Sequence, residues 1–406
     1  MTQTLPPTTG DQSLADLKDV DPYPFFAEVQ ARGRVVKDEL IDAWLVFGFA
    51  DGDYVMRNEE LFAGPWPTMN LSEIFGTRSL FGLSGAPHRV LYTEILNFFI
   101  PRVVRQYRTD FIQPIVRDRI ARFAGAGRAD LAADLAEELP VRVIGAMLGM
   151  DWQEETFARR CWGLTESFLA MTADFFVPSR AGASIDAAIS EVGELDAMIV
   201  PAIRDAGPDS YVARLWQVGR TMYDDWDEHD VLENCRFLFI AGMHTTSELI
   251  SNATWLALEH PELPEQIATA ADRDKQLTRF VEEALRMYPP LQFRFRIATQ
   301  DTELAGVTIH RGDRVVVSAA AGNRDPERFG CPAQPTLDTR PGHLSFNAGP
   351  RFCGGTRLAR AEAFDALDGI LALPGLRWDT DAAPAVFAGL NQRAYRPLNV
   401  RFAAAD

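Results

Sequence analysis

The chain has 406 residues, 47% of them hydrophobic, which is enough for one large core or two moderate ones. A formal net charge of −17 argues against nucleic acid or an anionic membrane as partner, since both demand a basic face. The four cysteines, Cys161, Cys235, Cys331 and Cys353, have no paired short spacing, which argues against a disulfide framework or a zinc site and for a reducing, cytoplasmic setting.

Residues 1–21 are polar and lack the basic-then-apolar pattern of a leader or membrane anchor. Residues 1–20 are expected to form a flexible N-terminal segment, and 21–406 one domain without a linker. The pattern predicts an amphipathic helix over Tyr23–Arg32 and a strand pair over 35–49, with Ala43-Trp44-Leu45-Val46-Phe47 as its apolar run. Residues 62–86, rich in Gly, Pro and aromatics, read as irregular. Helical periodicity dominates 88–149 and 152–258. Strands are expected in 304–318, turning at Arg311-Gly312-Asp313. Residues 323–355 show little periodicity, and so long an irregular stretch in a compact domain is usually functional. A last hairpin is expected in 387–402. The sum is a mainly α domain with small peripheral β-sheets.

The most specific stretch is Phe346-Asn347-Ala348-Gly349-Pro350-Arg351-Phe352-Cys353-Gly354-Gly355. It sets one cysteine in a glycine-rich loop just before a helical pattern. Unpaired N–H groups and the partial positive charge of a helix start favour an anionic sulfur there. Glycines let the backbone fold closely around a flat ligand. A lone cysteine would be read as a buried structural residue; this ten-residue pattern points to a metal ligand. It resembles the haem-binding loop of the cytochrome P450 family, in which the cysteine ligates haem iron.

Two further motifs carry the same resemblance. Glu283-Ala284-Leu285-Arg286 places Glu283 and Arg286 three apart on a helix face. Alone it is common on solvated helices, but Tyr288-Pro289-Pro290, Asn323-Arg324-Asp325-Pro326 and Leu337-Asp338-Thr339-Arg340 follow in the family's order. By resemblance, Glu283, Arg286 and Arg340 form a buried charge triad under the haem loop. Ala241-Gly242-Met243-His244-Thr245-Thr246 lies midway along an apolar helical run. In the family this stretch is a kinked oxygen-binding groove, and Thr245 matches the alcohol that serves oxygen.

The chain departs from the family at His244, where an acid is usual. Glu248 lies within i,i+4 reach, and the pair is read either as a replacement proton relay or as packing. The resemblance implies haem b as cofactor, with Cys353 as iron ligand, Phe346 and Gly349 shaping the loop, and Arg351, Arg296 and His88 meeting the propionates. Tyr92 stands where an arginine is usual and would offer a hydroxyl instead. Arg294 is read three ways: as a substitute propionate contact, as an anchor for a substrate carboxylate, or as a solvated cation. Ala241, Gln292, Arg294 and Asn391 are the candidate pocket residues.

The implied fold is a triangular-prism helical domain around a buried haem. The implied activity is monooxygenation of a small organic substrate, an aromatic or amino-acid-derived metabolite of secondary metabolism being preferred. Electrons would come from a separate ferredoxin and its reductase, docking near Arg351, Arg357 and Arg360 on a monomeric enzyme. Two rivals are atypical chemistry tied to His244 (peroxide-driven oxidation, aromatic nitration or oxidative coupling) and a non-enzymatic gas-binding haem protein.

Overall fold

The computed structural model describes residues 13–64, 71–168, 185–338 and 342–405. Arg340, residues 1–12 of the expected N-terminal segment, residues 65–70 of the expected irregular stretch and residues 169–184 of the expected helical stretch lie outside them. Five helices position the site: α1 (Gly85–Ile95), α2 (Glu138–Leu148), α3 (Glu228–Glu259), α4 (Arg273–Met287) and α5 (Thr356–Leu371).

The axis of the molecule is α3, whose 32 residues span about 48 Å at 1.5 Å per residue. Its start is a capping box. The Asp227 carboxylate accepts the N–H of His229 at 2.9 Å and of Asp230 at 3.2 Å, and Asp230 accepts that of Asp227 at 3.2 Å. Apolar residues on all sides, including Val231, Phe239, Ile240, Met243, Leu249, Ile250 and Leu256, bury the helix against α2, α4 and α5. Gly242 permits the close crossing with α2, because a Cβ there would lie 2.8 Å from Ile144 Cδ1. The helix runs unbroken through this point, and Gly242 both packs on Ile144 and lies on the lining of the cavity described below.

One sheet flanks the helical body. Strands β1 (Val35–Asp38), β2 (Ala43–Val46), β3 (Phe62–Ala63), β4 (Phe293–Ala298) and β5 (Arg314–Ser318) pair in the order β1-β2-β5-β4-β3. The β2–β5 pair is parallel and the others antiparallel. Strands β6 (Val386–Gly389) and β7 (Arg393–Arg396) form the expected hairpin, but Asn399–Arg401 pairs with Arg128–Asp130 instead. That second strand interrupts a stretch read as helix. Three residues without alternation carry no strand signal, and only their distant partner makes them one. The expected turn at 311–313 joins strands of different sheets. The hairpin turn is Ala305-Gly306, both at positive φ, between Thr302–Leu304 and Val307–Ile309. The described part of the expected flexible segment is anchored: Leu14 and Leu17 are buried against Phe25 and Phe47, and Ser13 Oγ donates to Asp38 at 3.0 Å.

Glu283 and Arg286 pair as their spacing predicts, at 2.6 and 2.9 Å, with side chains 1% and 2% exposed. Arg286 also donates to the carbonyls of Asn323 at 3.1 Å, Pro332 at 2.9 Å and Gln334 at 3.1 Å, and Glu283 accepts the N–H of Thr336 at 2.9 Å. The pair thus organises the irregular 323–336 segment. Asn323 continues the tie to the cysteine loop: its side chain accepts the N–H of Leu344 at 2.7 Å and donates to Ser345 Oγ at 2.9 Å. Replacing Arg286 by Met strands the Glu283 carboxylate in the core. It is expected to cost about 3–5 kcal/mol of stability, read as a lowered denaturant midpoint; an unchanged midpoint would contradict this role.

Candidate active site

A cavity of about 410 Å³ lies between α3 and the cysteine loop. Cys353, Gly354, Gly355, Leu358 and Ala359 line one side, and Ala241, Thr245, Thr246 and Leu249 of α3 another. Ala241 is exposed although its neighbours Ile240 and Met243 are buried, so the surface it shows faces this internal space. Most of the remaining lining is apolar, with Leu71, Phe75, Phe81, Phe168, Phe237 and Phe295 prominent.

The loop is shaped by close approaches. Gly349 sits at φ +65°, and a Cβ there would fall 2.6 Å from Arg57 Cα. The Cys353 N–H donates to the Phe346 carbonyl at 2.9 Å. Cys353 is exposed and lies on the lining of the cavity. Burial pushes its thiol up, opposed by the Gly355 N–H and by the cations Arg294 and Arg360. An exposed cysteine on the cavity lining, with cations nearby, suits ligation by a group in the cavity.

Two arginines share a face of β4. Arg296 is 3% exposed and meets only the Phe295 carbonyl at 2.8 Å and Asn347 Oδ1 at 3.5 Å. Burial, with Arg294 and Arg351 adding to it, depresses its guanidinium to about 10. No carboxylate among the described residues pairs with it, so it is a buried cation awaiting an anion. Arg294 lines the cavity, but its guanidinium donates to the carbonyls of Leu291 at 3.0 Å, Phe293 at 3.1 Å and Ser345 at 2.7 Å. It is not solvated. Burial lowers it to about 10, with Cys353 pulling the other way.

Other expected site residues are used differently. Arg351 reaches the lining, but its guanidinium binds Glu59 at 2.6 Å and the carbonyls of Leu80 at 3.3 Å and Phe81 at 3.2 Å. It braces the loop. Tyr92 donates to the Phe352 carbonyl at 2.7 Å, tying α1 to the same loop. His88 lines the cavity, stacked on Tyr92 with ring centroids 5.5 Å apart. Burial, aided by Arg351, lowers its imidazole to about 4, so it is neutral near pH 7. Phe346 lines the cavity beneath Arg360. Arg360 itself is paired with Glu282, so of the three expected docking cations only Arg357 is both exposed and outside an ion pair. Asn391 lines the cavity with its Oδ1 accepting the Phe293 N–H at 2.9 Å. Gln292 is fully buried but is not part of the lining; its Nε2 donates to the Pro289 carbonyl at 2.5 Å.

Thr245 faces the cavity and donates to the Ala241 carbonyl at 2.9 Å. The preceding His244 turns away. Its Nε2 lies 2.9 Å from Thr165 Oγ1 and its ring stands edge-on to Trp162 at 4.4 Å. Neither His244 nor Glu248 lines the cavity, and no hydrogen bond joins them. The expected relay pair is therefore not assembled: successive helix positions point about 100° apart, and Thr245 holds the cavity-facing one. Sequence reasoning missed Glu362. This carboxyl on α5 is 1% exposed and lines the cavity, with Oε2 unpartnered among the described residues. Burial first, and Asp365 second, raise it far above the usual carboxylate range. An acid on the core side of an apolar helix, nine positions after Cys353, was its only signal.

Comparison with known proteins decides the family. A cytochrome P450 family model matches residues 217–373. The mycinamicin IV hydroxylase/epoxidase of Micromonospora griseorubida is 30% identical over 366 residues, which cover 87% of this chain and 88% of that one. The chain belongs to the cytochrome P450 family. The C-19 steroid 1alpha-hydroxylase of Sorangium cellulosum is likewise 30% identical, covering 76% of this chain and 77% of that one. The crystal structure of P450BioI in complex with hexadec-9Z-enoic acid ligated acyl carrier protein superposes with a TM-score of 0.82 at 25% identity, over 94% of this chain and 98% of that one. The protein is thus an oxidoreductase, a P450 monooxygenase with haem b as cofactor. The cavity fits that group: it offers a free thiol, small residues on both walls, and in Arg296 a buried cation with no ion pair among the described residues. No helix among the described residues is long and apolar enough to cross a membrane.

The buried pair on α3 sets a pH dependence. Burial raises Glu248 to about 8 against the pull of Arg396, and burial, with Arg396 adding to it, lowers His244 to about 3. The folded P450 thus keeps the Glu248 proton that the unfolded chain loses near its ordinary value, so stability falls as pH rises toward 8. The His244 contribution has the opposite sense: it is present above about 6.5 and is lost as pH falls toward 3. Glu248→Gln removes the alkaline loss. Its gain in Tm over the parent is expected to grow between pH 5 and pH 8; a constant difference would contradict the assignment.

Proposed function

We propose that Cys353 is the axial thiolate of this P450 and that the enzyme hydroxylates a predominantly apolar small molecule using electrons from a separate ferredoxin. The single observation that carries the reading is a cavity with Cys353 on one wall and Thr245 beside the exposed Ala241 on another. When bound, the haem iron supplies the redox chemistry that activates dioxygen, and thiolate ligation favours O–O cleavage.

The chain's own residues bind, orient and hold protons. The Gly355 N–H and the start of α5 support the charged sulfur. Arg296 and His88 are the proposed propionate partners, while Arg351 and Tyr92 fix the loop that carries the cysteine. The phenylalanines of the lining exclude water and press an apolar substrate toward Ala241. The Thr245 hydroxyl and the protonated Glu362 carboxyl are two groups on the lining that hold a transferable proton. His244 is assigned to packing, on its contacts with Thr165 and Trp162, which supports ordinary monooxygenation over a His244-based relay.

The apolar lining supports a substrate with few polar groups. Arg294 is occupied by three carbonyls, so a substrate carboxylate is not required. An aromatic or amino-acid-derived molecule fits where its polar group meets the polar side chains on the lining, Asn391 and Gln392. Two relatives are named as hydroxylases, of mycinamicin IV and of C-19 steroids, which supports hydroxylation as the reaction type. For the ferredoxin, exposed Arg89, Arg102, Arg105 and Arg357 stand near the cysteine-loop side and form no ion pairs among the described residues. They offer an acidic partner a basic patch on an otherwise acidic protein.

The reduced, carbon-monoxide-bound enzyme should show the Soret band of thiolate ligation, and Cys353→His should lose it. A parent band at the histidine-ligated position would overturn the reading. Neutral apolar compounds should shift the iron spin state more readily than carboxylates of similar size. Arg105→Glu with Arg357→Glu should slow the first electron transfer from ferredoxin roughly tenfold at low salt; an unchanged rate would remove the docking surface.

A further inference from the structure

Two cations influence Cys353, Arg294 from β4 and Arg360 from α5, and they are compensated differently. Arg294 meets only carbonyls. Arg360, about two turns past Cys353, makes a two-pronged contact with Glu282 of α4 at 2.6 and 3.0 Å. Its guanidinium lies 4.5 Å from the centre of the Phe346 ring, and the Phe346 carbonyl is the acceptor of the Cys353 N–H. Glu282 also faces His343 Nε2 at 3.5 Å, long for a hydrogen bond but close for an electrostatic contact. His343 Nδ1 accepts the Ser345 N–H at 3.3 Å, which assigns the imidazole proton to Nε2, on the Glu282 side.

The three side chains link α4, α5 and the cysteine loop, and none lines the cavity. Burial alone would raise the Glu282 carboxyl, but His343 and Arg360 outweigh it and hold it at about 2, so the pair stays charged at working pH. Glu282 is 19% and Arg360 33% exposed, so solvent screens them only in part.

We propose that Arg360, fixed by Glu282 and His343, is a positioning residue for the Cys353 thiolate: its positive charge favours the more electron-rich state of the bound metal, and Glu282 limits that effect. The proposal rests on the reading of Cys353 as axial ligand. It gives Arg360 a role other than the donor docking that its sequence position suggested. The charge acts through Coulomb interaction and through the Phe346 ring it covers, not through contact with substrate.

The test is the ferric/ferrous midpoint potential of the haem-loaded enzyme. Arg360→Met should move it negative and Glu282→Gln positive. The double variant should return close to the parent, and Arg360→Lys should stay near it. Singles that move in the same direction, or that leave the potential in place, overturn the proposal. So does an Arg360→Met enzyme whose only change is weaker ferredoxin binding. If Arg360→Met takes up no haem, the absence of a positive shift in Glu282→Gln overturns it. Loss of haem from all variants, Arg360→Lys included, would mean that the chain is structural only. The carbon-monoxide band of the parent enzyme separates the two failures, since a thiolate band keeps the ligand reading whatever the potentials do.

Discussion

The buried Glu283–Arg286 pair is the contact on which the site depends. A bidentate ion pair almost sealed from water is not an economical source of stability, because desolvation of both charges offsets most of their attraction. Its value lies in what its remaining donors and acceptor organise. Arg286 gathers three backbone carbonyls and Glu283 one N–H from a segment with no regular structure of its own. Asn323, whose carbonyl is one of the three, carries that order to Leu344 and Ser345, and Ser345 Oγ donates back to the Leu285 carbonyl at 2.6 Å. The cysteine loop is therefore fixed at its base to α4 before any ligand enters.

From that base the loop is braced outward by polar contacts of modest individual strength. Arg351 clasps Glu59 and the carbonyls of residues 80, 81 and 83; Tyr92 holds the Phe352 carbonyl; Arg294 holds that of Ser345. Each draws a different element onto the loop, so the position of Cys353 is set by several independent supports. On the facing wall α3 is kept close by the missing Cβ of Gly242 and long by its capping box. The cavity is what remains between two rigid walls, and its shape follows from packing rather than from any residue that touches substrate.

Much of this was legible in the chain. The Phe346–Gly355 pattern, the Glu283/Arg286 spacing and the apolar run around Thr245 each encode a local geometry, and local geometry is what spacing can report. What failed did so for one reason. The Thr165 that holds His244, the Ser345 carbonyl that engages Arg294, the Glu59 that occupies Arg351 and the Glu282 that occupies Arg360 are all contacts across long sequence separations. Gln292 read as a pocket residue because its neighbours are, yet its side chain is buried and engaged by the Pro289 carbonyl rather than on the cavity lining. Arg128–Asp130 became a strand only by meeting Asn399–Arg401.

By itself the sequence determined the class of molecule: a mainly α enzyme with a cysteine loop, a threonine midway along an apolar helix and a buried ion pair. Those are properties of short windows, where backbone propensity and residue type act together. Only the tertiary structure decided which charges are free. It leaves Arg296 buried without an ion pair among the described residues, places Glu362 at the cavity, buries His244 and Glu248 on α3 away from the cavity lining, and compensates Arg360 with Glu282. The availability of a charge is set by what folds against it, and that partner lies tens to hundreds of residues away along the chain.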